Sequence, residues 1–106
     1  MKRLSDWAAE RADRHATALL HDSAGCRLVA FTLAANQEVP VHTSSATVLC
    51  TVVAGGGTFT GADGELMLTA GESVEYVPEE PHGMVAGAAG LRFLAVITPG
   101  PSAVPS

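Results

Sequence analysis

Four histidines, two cysteines and scattered serines and carboxylates carry the chemistry open to this 106-residue chain. His42 and His82 are the ones set beside strand-like apolar runs. An imidazole, with an ordinary pKa of about 6.5, moves protons near neutral pH and also ligates metals. In the segment VHTSSATVLCTVVAGGG, residues 41–57, His42, Ser44, Val48, Cys50 and Val52 share one parity. A regular strand would put those five on one face. A hydrolytic triad is disfavoured, because the base needs an orienting carboxylate and the neighbours Val41, Val48 and Val52 supply none.

The other polar candidates read as structure. His15 and His21 sit at the ends of the first expected strand, where a lone histidine is a surface or hairpin residue. Glu75, Glu79 and Glu80 form a solvated acidic rim. Gly55, Gly56 and Gly57 suggest a phosphate loop, but no Gly-Lys-Ser/Thr and no expected helix follows them, so they read as a turn.

The elements that must hold these residues are short. Ser5 can cap a helix through Arg14 with Leu4, Trp7, Ala8 and Ala12 on one side, predicting a helical extension over 1–14. HATALLHD and CRLVAFTLAA flank DSAG and read as a hairpin. Beyond it, VPV, TVLCTVVA, GTFTG, ELMLTA, SVEYV, GMVA and LRFLAVI are separated by GGG, GADG, AGE, PEEP and GAAG, the spacing of an all-β sandwich or barrel. TPGPSAVPS, from residue 98, predicts a flexible proline-rich tail over 99–106.

Composition narrows the partners. The chain is 47% hydrophobic and 16% charged, enough for one domain with one core. Of its net charge of −5, the acidic part lies after Arg27, where Arg92 stands alone against seven acids. Nucleic acid and anionic membranes need clustered Lys and Arg and are excluded as expected partners. No secretory h-region and no run of membrane-spanning length appears. Two cysteines without CxxC spacing fit a reducing cytoplasm.

Over residues 15–98 the sequence resembles the cupins, in particular the short single-domain, RmlC-like jelly-roll kind. The first cupin motif is His-x-His, three or four residues, Glu, six residues, Gly; here His42 and Gly55 match, while Ser44 and Val48 stand at the second His and the Glu. The second motif runs Gly, five residues, Pro-x-Gly, two residues, His, three residues, Asn. Gly71 and His82 match it, with Val77, Glu79 and Ala86 at the Pro, Gly and Asn positions. Pro78 and Pro81 still stiffen the loop before the histidine.

The resemblance implies an antiparallel β-barrel (double-stranded β-helix), here with a short N-terminal helix, and a homodimer. In cupins with the full motif, three histidines and a glutamate hold a divalent metal. Transferred residue by residue, His42 and His82 remain for one transition metal (Fe, Mn, Ni, Cu or Zn), completed by a Cys50 thiolate or by Ser44 through water. The alternative is that the two histidines are polar wall groups without metal. Alternation adds Tyr76, Met84 and Phe93 to an inward set that, with Val48 and Val52, makes a mostly apolar pocket around His42, Ser44, Cys50 and His82. All could equally be plain core. The expected function is binding of a small, partly apolar molecule. The rivals are a metal-dependent dioxygenase or isomerase/cyclase, and metal-free acid–base catalysis by the same histidines.

Overall fold

Residues 47–52 alternate half-buried and buried, the period of a strand with one face in a core. A computed structural model, which describes residues 1–101, places seven strands. They are β1 (Ala16–Asp22), β2 (Arg27–Leu33), β3 (Glu38–His42), β4 (Thr47–Gly61), β5 (Gly64–Thr69), β6 (Ser73–Tyr76) and β7 (His82–Thr98). All pairings are antiparallel, and β1 with β2 forms the expected hairpin.

Two long strands organise the rest. The first part of β4 lies between β6 and the second half of β7, and its last part lies between β5 and the first half of β7. The pairing joins all seven strands in one sheet that folds into two halves, each facing the other as a sheet. One runs β1, β2, the end of β7, the start of β4 and β6; the other runs β3, the start of β7, the end of β4 and β5. Val39, Phe59, Leu68 and Met84 of the second sheet share a buried core with Leu33, Val48, Cys50, Val52, Tyr76, Leu91, Phe93 and Ala95. Phe93 centres it, stacked on Phe31 at 4.6 Å and edge-on to Phe59 at 5.4 Å.

Three expectations need correction. Among the described residues the sheet does not close into a barrel: β1, β3, β5 and β6 each have one strand partner and remain edges. The runs GGG and GAAG are not turns, because β4 and β7 pass straight through them. There the two strands bend from one sheet into the other, with ladder irregularities between Val52 and Ala54 and between Gly55 and Gly57. A Cβ on Gly55, whose φ is 69°, would lie 2.1 Å from the Gly90 carbonyl oxygen. Glycine is needed for close backbone approach at a bend.

The N-terminal helix is absent; residues 1–11 have no regular structure. A nine-residue helix is marginal alone, and the sheet competes for its backbone. The Thr32 hydroxyl donates to the Ala8 carbonyl at 2.9 Å, the Gln37 amide donates to the Arg11 carbonyl, and Arg92 lies 4.8 Å over the Trp7 ring. The segment is laid across the outside of β2 and β7 by these contacts. At the other end, Gly100 is buried and donates its N–H to the Ala24 carbonyl. Of the expected tail, residues 102–106 lie outside the described residues.

Candidate functional site

His42 ends β3 and His82 begins β7, and they are register partners. Local sequence explains how they meet. β3 is an edge strand, where Pro40 costs no ladder bond, and its pairing with β7 is irregular between Val39 and His42. Gly83 permits this approach, since a Cβ there would lie 3.0 Å from the Val39 carbonyl oxygen and 3.1 Å from the Val41 nitrogen. The loop before His82 is a turn in which the Glu80 N–H donates to the Val77 carbonyl, with Pro78 second and Glu79 third at φ 69°. That is type II geometry, in which the third position favours glycine. The Glu79 N–H also donates to the Ser44 carbonyl at 2.7 Å, tying this loop to the one after His42.

The imidazoles lie 4.3 Å apart, tilted by 56°. His82 is buried at 3% exposure, and its other side stacks on Tyr76 at 4.6 Å; His42 is on the exposed side. The His42 Nδ1 is 2.9 Å from the Pro40 carbonyl oxygen and the His82 Nδ1 is 2.8 Å from that of Glu80. A carbonyl only accepts, so in each ring Nδ1 carries the proton and donates. Each neutral ring then presents Nε2 as a bare lone pair. Among the described residues the His82 Nε2 has no protein partner, and it is not sealed, for the only sealed and unpartnered side-chain polar atom there is the Tyr76 hydroxyl.

Both rings line a cavity of about 70 Å³ between the sheets. Ser44, Val48, Cys50, Met84 and Phe93 line it, together with Phe31, Val39, Ala95 and Ile97. Those four come from β2, β3 and the end of β7. Phe31 alternates legibly with Leu33, but which sheet its face would meet was not readable. Val52 does not reach the cavity; it is core, displaced along β4 beyond the histidines. Tyr76 does not line it either. It forms the wall behind His82 and faces a separate groove of about 240 Å³ with Phe59, Leu66, Glu75 and Glu80. Nor is the strand through His42 continuous, since β3 stops there and β4 starts at Thr47.

The remaining candidates have structural work. Both Glu80 oxygens are taken, one by the Ala62 N–H at 3.0 Å and the other by the Val77 N–H at 3.1 Å. His15 bonds the Glu38 carbonyl and His21 the Ser23 hydroxyl. Burial pushes the Cys50 thiol up to about 12, so without a metal it is a protonated thiol near neutral pH. Val48 has no donor atom, and among the described residues no three of His, Cys, Asp and Glu come together to hold a metal ion. The donor set thus falls short of the three protein ligands usual for a resident catalytic zinc, for example.

No protein-family model matches the sequence, and no curated protein matches it. Solved structures do. An RmlC-like cupin protein from Desulfovibrio desulfuricans is similar at a TM-score of 0.81 and 27% identity, over 93% of this chain and 95% of that one. An uncharacterized conserved protein with a double-stranded β-helix domain from Klebsiella pneumoniae gives 0.85 at 18% identity, covering 95% and 90%. The DMSP lyase DddQ from Ruegeria pomeroyi gives 0.76 at 19% identity, over 81% of this chain and 47% of that one.

Proposed function

We propose that this chain, a cupin by its fold, binds a small, partly apolar molecule between its sheets, at the His42–His82 pair, without a resident metal. The observation that carries this is the pair of back-bonded rings at a mostly apolar cavity. Small-molecule sites combine such walls with a few fixed polar groups. A dry cavity of about 150 Å³ holds benzene, so one of about 70 Å³ takes a few heavy atoms, or one end of a larger molecule.

The test has two readouts. Protein purified without added metal contains far less than one equivalent, and its melting temperature does not move with chelator. A small amphiphile such as 2-butanol raises that temperature in the wild type and not in Ala95→Val, which fills the cavity from the opposite wall. Stoichiometric metal that is lost in His42→Ala overturns the reading in favour of the metalloenzyme.

The fixed tautomers favour a second activity at the same place. An imidazole held by Nδ1 with Nε2 bare is set to take a proton from a bound molecule. Exchange of the α-hydrogens of a small ketone into heavy water, lost in His42→Phe, measures it.

A further inference from the structure

We infer that this site selects neutral hydrogen-bond donors, hydroxyl or primary amide groups on a short apolar body, and rejects ions of either sign; the inference rests on the binding reading above. It follows from what the wall offers. Neither a Lys or Arg nor an Asp or Glu is among the cavity's lining residues. An anion entering it leaves water with no cation to meet it, and a cation finds no carboxylate.

The polar groups that remain are mostly acceptors. His42 and His82 have given their only N–H to the Pro40 and Glu80 carbonyls. Their Nε2 atoms can only accept while the rings are neutral. Ser44 already accepts from the Ala46 N–H at 3.2 Å and has one hydroxyl proton left to donate. Cys50, held as the thiol, adds a weak donor. Two acceptors on rings 4.3 Å apart, with one hydroxyl donor on the same cavity, complement a group that donates twice and accepts once. A primary amide has that pattern; a carboxylate of the same shape has only acceptors and faces two lone pairs.

Acetamide, acetate and acetamidinium share one shape and differ in charge, so they separate charge from fit. The full-length 15N-labelled chain, with chelator present at pH 8, is titrated with each while the histidine side-chain nitrogens are followed. Acetamide should shift the Nε2 resonances of both rings saturably, with acetate and acetamidinium at least tenfold weaker. His42→Phe, a change on the exposed side, should abolish the acetamide response at His82 while the backbone spectrum stays folded. Acetate or acetamidinium binding there as tightly as acetamide overturns the selectivity and leaves the binding reading standing. An undiminished acetamide response in His42→Phe overturns the paired-acceptor account. No saturable response to any of the three overturns the binding reading itself.

Discussion

At the scale of single residues, Tyr76 shows how one side chain can serve a site without lining it. Its ring is 2% exposed and stacked on His82, so it fixes the imidazole plane from behind. Among the described residues its buried hydroxyl has no protein partner, which costs about 1–3 kcal/mol relative to a satisfied group. Tyr76→Phe keeps the stack and removes the orphan, and should leave stability unchanged or raise it by about 1 kcal/mol in urea unfolding. Tyr76→Ala should lose about 3–5 kcal/mol, the cost of emptying a buried aromatic site. That His42 and His82 belong together was legible from the half-motifs around them. That Tyr76 belongs behind His82 was not, because alternation says only that a residue points inward and not at what.

At the scale of elements, turns and bends hold the histidines, and two glycine questions test them. The turn Val77–Glu80 has a glutamate at φ 69°, where a glycine carries no Cβ penalty. Glu79→Gly should therefore stabilise the protein by about 1 kcal/mol. Gly55→Ala asks the opposite. Its Cβ has only 2.1 Å to the Gly90 carbonyl, backbone against backbone, at a positive φ. A loss above about 4 kcal/mol is expected, in the range reserved for named steric causes, and both variants are read from denaturant midpoints. The glycine runs were visible in the sequence, yet their role was misread. A turn and a strand-to-strand close approach both need glycine, and composition cannot separate them.

At the scale of the whole molecule, the core is expected to set an alkaline limit. Desolvation raises the Cys50 thiol from its ordinary 9.0 to about 12 and raises the Tyr76 phenol as well. The folded state thus holds these protons more tightly than the unfolded chain does. Their effect on stability is absent below pH 9. As pH rises above 9 for the thiol and above 10 for the phenol, the unfolded state sheds its protons first, so stability falls, by up to about 1.4 kcal/mol per pH unit for each group. Urea midpoints at pH 8 and in the alkaline range should show the fall. In Cys50→Ala it should be smaller.

The sequence by itself determined the all-β class, the positions of most strands, the apolar character of the interior and the pair of histidines, because each is written in local alternation, turn chemistry or spacing. It also pointed to a helix before Ala16, where local propensity was outweighed by Thr32, Gln37 and Arg92, side chains far along the chain that bind the segment in another form. Only the tertiary structure decided that the sheets stay open, that β4 and β7 run through their glycines, and that Val52 and Tyr76 fall outside the cavity. It alone decided that two backbone carbonyls take the Nδ1 protons of both imidazoles. Those outcomes depend on which surfaces meet across long sequence separations, and no local pattern encodes the partner on the far side.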